Sequence, residues 1–175
     1  VENYLDIYRL SNVHPLLTRN LQQREFVPIE SNDLNLGYIV HNVLNSGLII
    51  DLDNKRNFAM KSNDFNDVVH FRLIFPNLFI ILFPHHLVLF IIDPINHELT
   101  NLKIKLLTKS SNDSNWNTKL IKFYESMNLM DISLCESMQK GIENFSFKNG
   151  VYNKKYEHTL YKFHNLLINE YTNYM

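Results

Sequence analysis

The residues best placed to do chemistry stand at the front of the chain, in Glu2-Asn3-Tyr4-Leu5-Asp6-Ile7-Tyr8-Arg9-Leu10-Ser11-Asn12-Val13-His14-Pro15. Leu5, Tyr8 and Arg9 share one face at helical spacing, and Glu2, Asp6 and Arg9 follow one another three or four residues apart. The spacing therefore predicts an acid-rich helix that also carries a base. Pro15 disfavours helical backbone at His14 and leaves that imidazole at a helix-to-loop exit, a usual place for a side chain that does chemistry. The same residues also read as a short amphipathic helix with an exposed Asp6–Arg9 pair and an ordinary histidine. Which reading holds depends on what the rest of the chain brings to His14.

Composition narrows the choice. With 175 residues, 45% apolar and 13% aromatic, the chain suffices for one well-filled domain, 1–175, and is short for two. A formal net charge of -1 argues against nucleic acid as the main partner, because a backbone-binding surface needs a clear Lys/Arg excess. One cysteine, Cys135, excludes an internal disulfide and any cysteine-based iron–sulfur or zinc cluster built from this chain alone, and makes a reduced, cytoplasmic setting the default. No membrane span is expected, since Phe79-Ile80-Ile81-Leu82-Phe83 is cut by Pro84-His85-His86 well before the roughly 18 apolar residues a span requires. A chain opening at Val1, inside a patterned helix, reads as part of something longer.

The positioning elements follow in order. Residues 16–35 read as loop with a short helix, and 36–45 as helix or strand closed by Ser46-Gly47. Leu48-Ile49-Ile50-Asp51-Leu52 fits a short strand. Residues 68–75, 78–83, 87–92 and 99–108 are strand-length segments joined by Pro76-Asn77, Pro84-His85-His86 and Asp93-Pro94-Ile95-Asn96, which predicts an antiparallel meander. Beyond a polar hinge at 109–115 the periodicity turns helical, over 116–129 with Trp116, Leu120, Phe123 and Met127, then over 130–142 with Leu134, Met138 and Ile142. Asp131 would stand near the start of the second helix, able to cap exposed amides. Tyr156 to Tyr174 places Leu160, Phe163, Leu166 and Leu167 on one stripe of a long terminal helix. The class is α+β, an antiparallel sheet closed over by a C-terminal helix.

Four patches carry a family resemblance: Glu2-Asn3-Tyr4-Leu5-Asp6-x-Tyr8-Arg9-x4-His14-Pro15, Leu73-Ile74-Phe75-Pro76-Asn77, Met130-Asp131-x2-Leu134-Cys135-Glu136-x2-Gln139-x-Gly141, and Glu157-x5-Phe163-His164. Their order and spacing resemble catalytic domains of Rieske-type non-haem iron oxygenase alpha subunits, most of all the branch acting on quaternary ammonium compounds and small aromatics. The resemblance implies a helix-grip fold, a curved antiparallel sheet packed on a long C-terminal helix with an apolar pocket between them, and assembly as a homo-oligomer, a trimer in that family. Phe71, Leu73, Phe79 and Phe90 are the candidates to line the pocket for a small-molecule ligand, and they are equally plain core residues. The family holds Fe(II) with two histidines and a carboxylate, which fill one side of the metal and leave positions open for O2 and substrate. By resemblance the second histidine falls on His14, the carboxylate on Asp131, and Asp6 on the acid that links the iron site to a neighbouring subunit's electron donor.

The first histidine falls on Arg9, where the match breaks. A guanidinium offers no lone pair and stays protonated, so Arg9 cannot ligate; pointed inward, it would pair with Asp131 or Asp6. His85, His86 and His164 are conceivable substitutes, but the first two sit at a strand turn and His164 lies on the packing side of a helix beside Phe163. The family's Rieske domain carries a Cys/His-bound two-iron cluster, and one cysteine cannot supply its two thiolates, so no iron–sulfur cluster is expected in this chain and a partner would have to carry it. Two functions of different class follow. One is an oxygenase catalytic unit that hydroxylates or demethylates a small apolar or cationic substrate, with an impaired iron site. The other is a non-catalytic binding or assembly domain in which an Arg9–Asp131 pair replaces the metal.

Overall fold

The computed structural model describes residues 1–6, 13–14, 26–29, 34–41, 68–83, 86–108, 114–144 and 150–174. Six strands form a single sheet in chain order: β1 (Phe26–Pro28), β2 (Asn35–His41), β3 (Val68–Ile74), β4 (Leu78–Leu82), β5 (His86–Pro94) and β6 (Thr100–Thr108). Every neighbouring pair is antiparallel. The meander read from 68–108 is present, and it extends backward by two strands. The ambiguous stretch at 36–45 contributes β2, and β1 lies inside the segment read as loop and short helix. A three-residue strand with Pro28 at its end has too little alternation to be visible in sequence, and its edge position is where proline is tolerated. The strand expected at Leu48–Leu52 lies outside the described residues.

Register gathers one face of the sheet into the core. Leu36 pairs with Leu73, Tyr38 with Phe71, Leu73 with Phe79, Phe71 with Ile81, Phe79 with Phe90 and Ile81 with Val88, and all of these side chains are buried. On β6 the alternation is direct: Leu102, Ile104 and Leu106 turn inward while Lys103 and Lys105 stay in water. On β3, Arg72 is half-buried, whereas His70 is buried.

Among the described residues, three helices contribute side chains to the core on the inner face. α1 (Glu2–Leu5) is four residues long, so the expected helix carrying Glu2, Asp6 and Arg9 on one face is not formed; it ends at Leu5, and Asp6 is extended. α2 (Ser114–Ile142) is one helix of 29 residues where two were expected. The stretch Met127-Asn128-Leu129-Met130 holds no Gly or Pro, and Leu and Met are strong helix formers, so nothing stops the ladder between the two apolar patterns. α3 (His158–Asn173) is the C-terminal helix read over 156–174. Leu120 and Tyr124 of α2 and Leu160 and Phe163 of α3 complete the core with Leu5 and the sheet residues, and Phe163 meets Phe75 edge-on at 6.0 Å. The fold is α+β of the helix-grip kind, with the C-terminal helix packed on an antiparallel sheet.

Candidate functional site

α2 decides where the site lies. Its inward stripe runs Leu120, Tyr124, Met127 and then Asp131, at steps of four, three and four. Asp131 is therefore in the interior of a helix and does not cap a terminus, as expected from a helix starting at 130; all nearby amides are already used by the helical ladder. Its carboxylate continues an apolar stripe and needs a polar partner at the edge of the core.

That partner is His14. Val13 is helical and His14 is not, so the imidazole stands at the exit that Pro15 implies. Its Nε2 lies 3.1 Å from Asp131 Oδ1 and 3.2 Å from Oδ2, with His14 6% and Asp131 13% exposed. An ionised carboxylate can only accept, so Nε2 carries the hydrogen and donates between the two oxygens. The same spacing suits shared ligation: donors each about 2.1 Å from a metal ion and at right angles to one another lie about 3 Å apart. Loss of the Nε2 proton would turn this edge of the imidazole into a second donor beside the carboxylate. Two donor atoms thus have the spacing that shared ligation needs. Arg9 lies outside the described residues, and its guanidinium offers no lone pair. Among the described residues no group of three or more His, Cys, Asp or Glu is placed to hold a metal ion.

Tyr4 of α1 lies over the sheet. Its ring stacks on Phe79 at 4.6 Å and 23° and tilts over Phe90 at 5.1 Å. Burial is the main cause that pushes its phenol well above the usual tyrosine range, and the negative charges of Asp131 and Cys135 add to it. Asn3 reaches α2, where its amide donates to Cys135 Sγ at 2.7 Å, one turn beyond Asp131.

The remaining predicted residues are distributed as follows. Asp6 is half-buried at the end of α1, and its amide donates to the Glu2 carbonyl. It is close enough to Tyr38 that its charge helps raise that phenol, behind burial as the larger cause. Phe71, Leu73, Phe79 and Phe90 all sit on the inner face, between 0% and 5% exposed, with Phe79 6.5 Å from Phe71 and 6.1 Å from Phe90. His86 is in the core, stacked on Phe83 at 4.4 Å with Nε2 2.6 Å from the Tyr124 hydroxyl. His164 is not on the packing side of its helix; it is half-buried, with Nε2 2.7 Å from Glu2 Oε1 and Nδ1 against the Tyr152 hydroxyl. His85 lies outside the described residues.

Residues 1–172 match the family model described as ring hydroxylating alpha subunit (catalytic domain), and the chain belongs to that family. Among solved structures it is similar to the quaternary ammonium Rieske monooxygenase CntA in complex with an inhibitor, with a TM-score of 0.75 and 16% identity over 96% of this chain. The chain spans 45% of that protein's length, and at this identity the likeness is one of fold. No curated protein sequence matches the chain. No helix among the described residues is long and apolar enough to cross a membrane.

Proposed function

We propose that this chain is the catalytic-domain part of a Rieske-type non-haem iron oxygenase for a small apolar or quaternary ammonium substrate, with an impaired Fe(II) site. His14 and Asp131 are the surviving ligands, Arg9 stands in the post of the first histidine, and Asp6 is the acid on the path of incoming electrons. The observation that carries this reading is His14 Nε2 at 3.1 Å from the Asp131 carboxylate, across 117 positions of sequence. Bound iron would supply O2 activation; the residues present fit two of its three protein ligands, and the guanidinium at the third position does not. Phe71, Leu73, Phe79 and Phe90 give the apolar wall against which such a substrate would lie. Electrons would come from a cluster carried outside these 175 residues, since Cys135 alone cannot anchor one. Assembly as a trimer that brings such a donor to Asp6 is part of the same reading.

Iron titration of wild type against Arg9→His tests it. The wild type is expected to take up well under one iron per chain, because one imidazole and one carboxylate bind Fe(II) poorly, and the variant to gain affinity by at least about tenfold as the third ligand returns. Full iron occupancy in the wild type would overturn the impairment. No gain in Arg9→His, with His14→Ala equally without effect, would overturn the ligand assignment and favour the binding or assembly reading.

A further inference from the structure

α1 cannot hold itself in place. Four residues make a single turn, below the length at which a helix is stable in water, and no side chain caps its start. Each of its residues leans on a different element: Glu2 on α3, Asn3 on α2, Tyr4 on β4 and Leu5 on β2, where its carbonyl accepts from the Tyr38 hydroxyl at 3.3 Å. These contacts differ in strength. A thiol is a weak acceptor and 3.3 Å is long for a hydroxyl donor, whereas the Glu2–His164 contact is short and has a carboxylate at one end.

The imidazole of His164 is itself fixed from behind. Its Nε2–H donates to Glu2, because a carboxylate only accepts, and Nδ1 on the other side of the ring is hydrogen-bonded to the Tyr152 hydroxyl. The Tyr152 ring meets Tyr161 of α3 edge-on at 5.3 Å. Its following residues are bonded to one another: the Glu157 amide donates to the Asn153 carbonyl, and the Asn153 amide donates to the Glu157 carboxylate. On the other side, the Glu2 carbonyl accepts the Asp6 amide at 3.1 Å, so a displacement of Glu2 is passed by the backbone to Asp6.

We infer that Glu2, His164 and Tyr152 form a tether that sets the N-terminal segment against α3, making His164 a positioning residue for the His14–Asp131 site. The inference rests on the proposed function for what is positioned, but not for the tether itself. A carboxylate–imidazole–hydroxyl chain of this kind orients a side chain much as outer-shell partners orient metal ligands.

Hydrogen exchange of the Asp6 and Tyr4 amides in the 175-residue protein, with Co(II) titration as a metal probe, tests it. His164→Ala is expected to speed Asp6 exchange by about tenfold or more while amides of β4 and β5 keep their protection, and to weaken Co(II) binding by about tenfold. His164→Gln, whose amide can still donate to Glu2, is expected to restore most of both. If His164→Ala does not fold, Tyr152→Phe and Glu2→Ala carry the same expectation. Unchanged Asp6 exchange in these variants would overturn the tether, and faster exchange with unchanged Co(II) affinity would overturn its positioning role. If wild type and Arg9→His both fail to bind Co(II), the ligand reading of His14 and Asp131 falls, and the exchange result alone decides the tether.

Discussion

At the scale of single residues, two buried polar groups of this domain meet across 38 positions of sequence. His86 and Tyr124 are both in the core, and the phenol meets the imidazole Nε2 at 2.6 Å. Tyr124→Phe keeps the ring and removes the hydroxyl, so a buried nitrogen loses a partner. The cost is expected to be about 1–3 kcal/mol, read as a lower urea midpoint at unchanged slope. A midpoint equal to wild type would mean the contact contributes nothing. The same contact explains why a histidine beside a strand turn is no substitute ligand here: its ring is stacked on Phe83 and its Nε2 faces a phenol. Sequence showed a histidine pair at a turn, but not that His86, first residue of β5, shares the inward face with Val88 and Phe90.

At the scale of elements, the sheet depends on one close backbone approach. Gly37 in β2 sits opposite Arg72 with φ +150°, and a Cβ there would run into the Phe71 carbonyl oxygen, an atom of the neighbouring strand that cannot swing aside. Gly37→Ala is expected to cost about 2–4 kcal/mol through strain and loss of β2–β3 pairing. Chemical denaturation measures this, and wild-type stability in the variant would show that the strands separate at no cost. β3 to β6 were legible because alternation and Pro- or Asn-containing turns coincide there. The continuity of α2 was not, because the three- and four-residue apolar spacing pauses between Met127 and Leu134, which looks like two helices when the partner surface is unknown. Continuing the first pattern from Met127 by four residues would have put Asp131 on the inward stripe.

For the whole molecule, burial of phenols couples the fold to alkaline pH. Tyr4, Tyr38 and Tyr124 all have their ionisation pushed above the ordinary tyrosine value, in each case chiefly by burial. The unfolded chain releases these protons near pH 10 (about the model-peptide value), while the folded protein keeps them to higher pH. Above that point the unfolded state binds fewer protons, so stability falls as pH rises. The contribution is complete below about pH 10 and is lost as pH climbs through the higher folded values. Urea midpoints are expected to be flat near pH 8 to 9 and to fall above about pH 10, less steeply in Tyr124→Phe. Midpoints that stay level through about pH 11, or that fall as steeply in Tyr124→Phe, would contradict this.

The sequence alone determined the class of the domain, the meander at its centre, the terminal helix and the chemical types at the site, because periodicity, turn residues and the electronic structure of imidazole, carboxylate and guanidinium are local properties. Tertiary structure decided which of those groups meet. The contact between His14 and Asp131, the reach of Asn3 to Cys135 and that of His164 to Glu2 join residues separated by more than a hundred positions. Such distances close only through the register of a sheet and the phase of a long helix, neither of which is written in any one stretch of the chain.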